Sequence, residues 1–188
     1  PIGHAMQGLH ITLESLKLNQ GEGIPKEFKL RIERLVASPG EGGDHAVAIL
    51  TRNISWLLYL DPAWVRDRVV PWFNFDNSFS EPAWNGYLCA AELPPQEIGT
   101  ALKPMLLDLF PAIYKWSWGE QLARIAAQII IGLAVFRSDK PHGLNSREAR
   151  HCLRTMNDRN RQDAVWELGN IARREANGWS KHVIPFIN

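Results

Sequence analysis

Apolar positions recur every three or four residues through most of the chain, the spacing of one face of an α-helix. Ile2, Met6, Leu9, Leu13 and Leu16 predict a first helix that breaks at Gly21-Glu22-Gly23. Pro25 suits the first position of a second helix, in which Phe28, Ile32 and Leu35 share a face up to Ser38-Pro39-Gly40. A third is expected from Asp44 to Leu60. Asp61-Pro62 then reads as the N-cap and first residue of a short helix ending at Pro71. Further helices are expected from Ser80 to Ala91, from Pro95 to Phe110 with a kink at Pro104, and from Glu120 to Phe136. The last three run from Ser146 to Met156, Asp158 to Ala176 and Trp179 to Phe186. No segment alternates apolar and polar residues with β-branched enrichment, so the expected class is all-α, with about ten helices.

The helices fall into five pairs, at about 1–38, 43–73, 81–111, 119–156 and 158–188. A period of roughly 37 to 40 residues is that of stacked antiparallel helix pairs, as in HEAT or armadillo α-solenoids. Pro39, Pro71, Pro111 and Pro185 each follow an apolar helix, and Trp64-Val65-Arg66-Asp67-Arg68-Val69-Val70-Pro71 resembles Trp179-Ser180-Lys181-His182-Val183-Ile184-Pro185. The alternative is one irregular helical domain whose prolines merely end helices. Between Gln121 and Phe136 only Gln121, Arg124 and Gln128 form a polar strip, which predicts a helix buried between neighbours. From Gln162 to Ala176, residues Ala164, Val165, Leu168, Ile171 and Ala172 take one side and Asp163, Asn170, Arg173 and Arg174 the other, as on an outer helix with a single docking face. Such a mixture suits stacked pairs, because one pair cannot bury its own core.

Composition narrows the function classes. The 188 residues are 45% apolar and 22% charged, as in a globular chain, with 21 Lys and Arg against 20 Asp and Glu. A net charge of +1 gives no global signal for nucleic acid or an anionic membrane. Pro1 opens the chain, and no basic segment leading into an apolar core and cleavage site is present, so a processed chain or a C-terminal piece of a longer protein is expected, forming one domain over 1–188. The longest apolar region, Ile125 to Phe136, is shorter than the roughly 20 residues a bilayer span needs, so no membrane partner is expected. Cys89 and Cys152 both lie in apolar helical patterns, which fits free thiols in a reducing cytoplasm.

Most candidate chemistry gives way to a simpler reading. His151 and Cys152 are neighbours on a helix, about 100° apart, and cannot readily share a hydrogen bond; Cys152 falls in the apolar stripe of Ala149, Leu153 and Met156. His4, His10, His45, His142, His151 and His182 lack zinc-ligand spacing, so no metal is expected. Glu27-Phe28-Lys29 has no preceding Asp for a metal-dependent nuclease site, and Gly21-Glu22-Gly23 and Gly40-Glu41-Gly42-Gly43 lack the spacing of phosphate loops, so no nucleotide cofactor is expected.

Two features remain. Residues 137–188 carry ten Lys or Arg against six Asp or Glu, whereas 71–120 carry two against six. Arg147, Arg150 and Arg154 share one helix face, and Arg159, Arg161, Arg173 and Arg174 follow; this ridge could grip phosphates or an acidic partner, or simply be a solvated face. The charge polarity also suits head-to-tail contact between copies in a homo-oligomer. The second feature is the aromatic loop with Trp72, Phe75 and Phe79, followed by Trp84; these residues are candidate protein-binding anchors or gap fillers between helices. Asp76 and Glu81 flank the loop and are the one carboxylate pair considered for hydrolysis.

Asp61-Pro62-Ala63-Trp64, Pro71-Trp72-Phe73, Trp84-Asn85-Gly86-Tyr87-Leu88 and Leu109-Phe110-Pro111 together resemble the helical C-terminal region of long prokaryotic multidomain proteins. Members of that group often carry a sirtuin-like, NAD-consuming domain at the other end, and many are linked to phage defence. The resemblance implies a non-enzymatic sensing or scaffolding module that meets a protein partner or the remaining domains of its parent chain. It carries over no catalytic residue, because the NAD-binding fold would lie outside this chain. Nucleic-acid binding by the arginine ridge is the alternative.

Overall fold

The computed structural model describes residues 2–174 and 176–184. Among them every regular element is helical and none is a strand, as expected for an all-α chain. Two compact units divide the protein, Pro1–Ala90 and Ala91–Asn188.

The first unit contains α1 (Ile2–Ser15), α2 (Lys26–Val36), α3 (Glu41–Arg52), α4 (Ile54–Leu60), α5 (Pro62–Trp64) and α6 (Ser80–Ala90). Helix α3 is its hub, packing on α1, α2 and α4 and most extensively on α6. Ala46, Val47, Leu50 and Thr51 are buried there, and Gly86 lets α6 close in: a Cβ at that position would lie 2.0 Å from the Ala48 carbonyl oxygen. Instead of one helix from Asp44 to Leu60, the chain starts α3 at Glu41 and breaks at Asn53. Asn53 Nδ2 donates to the Ile49 carbonyl at 2.8 Å, the local side-chain bond by which Asn competes with helix continuation. Pro25 sits just before α2, with extended ψ of 143°, one position earlier than expected, and Leu16 lies exposed beyond the end of α1.

Between α5 and α6 the backbone leaves regular helix. Val65–Val69 form a π-helical turn and Val70–Phe73 a 3₁₀ turn. Val70 N–H donates to the Val65 carbonyl five residues back, and Pro71 next in line has no N–H to continue the ladder, which accounts for the irregular passage. The chain therefore runs helically past Pro71 to Phe73. Trp179–Val183 form a second π-helical turn, again ending two residues before a proline, so the sequence similarity between these segments is matched in backbone geometry. Pro185 and Phe186 lie outside the described residues.

The second unit contains α7 (Gln96–Leu107), α8 (Leu109–Ile113), α9 (Gly119–Phe136), α10 (Ser146–Thr155) and α11 (Asp158–Arg174). Helix α7 runs through Pro104 but stops at Leu107, and α8 is separate from it. Helix α9 is the hub, packing on α8, α10, α11 and the π-helical turn. Eleven of its 18 residues are buried, as its narrow polar strip predicts. By length and composition alone α9 could cross a bilayer, which corrects the shorter apolar segment read from sequence; most of it is buried. On α11 the inward face is Asn160, Ala164 and Ile171, whereas Val165 is 67% exposed. The buried polar residue explains the rotation: Tyr114 Oη donates to Asn160 Oδ1 at 2.8 Å and accepts from Asn157 N–H at 2.9 Å, tying the start of α11 to the end of α8.

Candidate functional site

The irregular passage after α5 builds one wall of a groove in the first unit, and α2 builds the other. Ile32 and Val36, four residues apart on α2, face Trp64, Pro71, Trp72 and Phe79 across a space of about 400 Å³. Glu33, Asp67 and Arg68 supply its charged lining, and Arg68 Nη2 meets Glu33 Oε1 at 2.9 Å. Both side chains of that pair are well exposed, so its contribution to stability is small.

Asp61 positions both walls. Its Oδ1 accepts from Trp64 N–H at 3.0 Å as the expected N-cap of α5, while Oδ2 accepts from Ile24 N–H at 3.1 Å and meets Lys29 Nζ at 2.6 Å. Gly21 and Gly23 N–H donate to the Tyr59 and Leu60 carbonyls, both at 2.9 Å, so the segment entering α2 is laced to the end of α4. Burial pushes the Asp61 carboxyl up, but the Lys29 ammonium and the two backbone donors outweigh it and hold the pKa below the ordinary aspartate value. The sequence identifies the cap; the bonds to Ile24 and Lys29, 37 and 32 residues away, have no local signature.

The aromatic loop is equally ordered. Asn74 Oδ1 accepts from Asp76 N–H at 3.1 Å, and Asn77 Oδ1 from Phe79 N–H at 2.9 Å, two side-chain-capped turns in succession. Asn77 Nδ2 reaches back to the Pro71 carbonyl at 3.3 Å. Trp72 and Phe79 consequently meet edge to face, with ring centroids 6.1 Å apart, both half-buried on the groove. One atom there is unmatched: Trp64 is 9% exposed, and its buried indole Nε1 has no hydrogen-bond acceptor among the described residues.

Not every aromatic candidate belongs to this surface. Trp84 is fully buried, with Nε1 donating to the Phe73 carbonyl at 2.9 Å and its ring packed edge to face on Phe73 at 5.0 Å. It is a core residue, which corrects its assignment as a binding anchor. Phe75 stacks on Trp84 at 6.4 Å and does not line the groove. Neither Asp76 nor Glu81 lines it.

The arginine ridge divides in two. On α10, Arg147, Arg150 and Arg154 are exposed and form no ion pair among the described residues; Arg150 Nε donates to the Ser146 carbonyl at 3.1 Å. Arg173 and Arg174 end α11, whose packing partners are α9 and the second π-helical turn, whereas α10 packs on α7, α8 and α9. Arg173 Nη2 donates to Asn170 Oδ1 at 2.7 Å, and Arg174 lies 3.9 Å from Glu167. The α10 face is therefore an unpaired cationic row, and the α11 pair is locally partnered. The N-terminus of α10 is closed by a capping box, Asn145 accepting from Glu148 N–H while Glu148 accepts from Asn145 N–H.

The cysteines differ from each other. Cys152 is buried, and its thiol pKa is pushed up to about 12 by that burial, so it stays protonated and inert. His151 beside it is exposed and faces Asp108 at 3.6 Å. Cys89, expected in a core stripe, is exposed. Among the described residues no group of three or more His, Cys, Asp or Glu could hold a metal ion.

No protein-family model, curated protein or solved structure matches the chain.

Proposed function

We propose that the chain is a helical module for protein recognition, in which the groove between α2 and the Trp64–Phe79 segment receives an extended peptide of a protein partner. Trp72 and Phe79 carry the reading: their rings, held edge to face, line the groove opposite Ile32 and Val36, and aromatic side chains so placed are common binding anchors. Trp72 and Phe79 offer rigid aromatic anchors on a loop already fixed by its own hydrogen bonds, so little order is lost on binding. In each unit the first helices of successive pairs pack in sequence, α1 with α3 and α3 with α6, then α9 with α11. That order supports stacked pairs of the solenoid kind, whose surfaces suit extended partners. With the resemblance noted in the sequence, the module would serve as the non-enzymatic, cytoplasmic recognition part of a larger prokaryotic defence protein.

Peptides selected from a random library on the wild-type chain test this reading. Binding should weaken about tenfold or more in Trp72→Ala and Phe79→Ala, and unchanged binding in both variants would refute it.

A second reading rests on the unpaired row Arg147, Arg150 and Arg154, which would bind the phosphates of a nucleic acid. Affinity for a short duplex should then fall steeply with salt, and salt-independent binding would dismiss it.

A further inference from the structure

A second cleft in the first unit, of about 470 Å³, lies where α1, α3 and α6 converge, away from the groove just described. Each helix presents one stripe to it. Helix α3 contributes His45, Ile49 and Arg52, spaced four and three apart; α1 contributes His4 and Gln7; α6 contributes Asn85 and Cys89, four apart. The convergence depends on the close crossing at Gly86, where any side chain would run into the α3 backbone.

The lining is one-sided in charge. Among the described residues no carboxylate lines the cleft and Arg52 forms no ion pair. In a chain whose acidic and basic residues are nearly equal in number, a guanidinium, two imidazoles and two side-chain amides gathered without a counter-charge form a donor-rich surface. Cys89 Sγ donates to Asn85 Oδ1 at 3.4 Å, so the thiol is held against the wall. Ile49 and Ala48 supply the apolar part of the lining. A few polar groups converging over an apolar surface, in a volume within the range of small-ligand sites, is the usual make-up of a small-molecule pocket.

We propose that this cleft binds a small organic anion, its carboxylate or phosphate head held by Arg52 with His45 and His4, and its apolar body against Ile49 and Ala48. The guanidinium matches either head through two parallel charge-assisted hydrogen bonds.

Amide NMR titrations of the full chain with benzoate, phenyl phosphate and inorganic phosphate test the site. Saturable shifts confined to residues 3–7, 45–52 and 85–89 are expected with benzoate or phenyl phosphate, and the tighter of the two identifies the head group. Inorganic phosphate, which has no apolar body, should bind about tenfold more weakly than phenyl phosphate. Arg52→Gln should weaken binding about tenfold, and His45→Gln by a smaller factor. Both positions are exposed, so the fold should survive either change. Absence of saturable shifts with all three probes, shifts that map to α10 instead, or affinity unchanged in both variants would overturn the proposal.

Discussion

The two hub helices solve the same packing problem with different chemistry. Helix α9 buries Ile, Leu and Ala along most of its 18 residues, and its neighbours simply surround it. Helix α3 has 12 residues and five buried ones, and the unit around it relies on directional bonds, above all those of Asp61. A helix buried nearly all round leaves function only to the outer faces of its neighbours, as with the arginine row on α10. A unit with a shorter hub and polar ties between its other elements leaves space between them, and both clefts argued for above lie in that unit. Irregular backbone, permitted by Pro71 and fixed by Asp61, shapes the walls of the groove.

This contrast can be broken at four points. Trp84→Ala should be the most damaging, at about 4 kcal/mol, because it empties the aromatic core behind the loop; urea unfolding measures it, and a loss as small as that of a surface change would return Trp84 to the binding surface. Asp61→Ala should cost about 3 kcal/mol, since it strands Lys29 and two backbone donors. The pH dependence carries a definite sign. The folded pKa of Asp61 lies below the unfolded value of about 3.9, so its contribution is present in full above that value and fades as pH falls through the folded one. Wild type should therefore lose stability more steeply below about pH 4 than Asp61→Asn, as read from urea midpoints across pH. Asn145→Ala, which opens the capping box of α10, should cost about 1 kcal/mol in the same assay. Replacing Arg147, Arg150 and Arg154 together by Gln should change stability by less than about 0.5 kcal/mol. If the nucleic-acid reading is right, the same triple change should flatten the salt dependence of binding.

Local signals were legible in the sequence and tertiary ones were not. The Asp61-Pro62 cap, the buried α9 and the inert Cys152 follow from spacing over a few residues. The apolar pattern alone turns Val165 inward, whereas the buried Asn160, held by Tyr114 from another helix, turns α11 the other way. Trp84 and Trp72 stand 12 residues apart in similar company, and only the packing of Phe73 and Phe75 separates core from surface. The His45–Arg52 cleft was invisible because it gathers residues from three helices, with no motif inside any one of them.

The indole resonance of Trp64 offers the most direct examination of the groove. In ¹⁵N-labelled protein, adding a selected peptide should move the indole N–H signal of Trp64, whose side chain lines the groove, and Trp72→Ala should abolish the response at the same peptide concentration. A peptide that binds tightly while leaving that signal in place would show that partners dock elsewhere on the molecule.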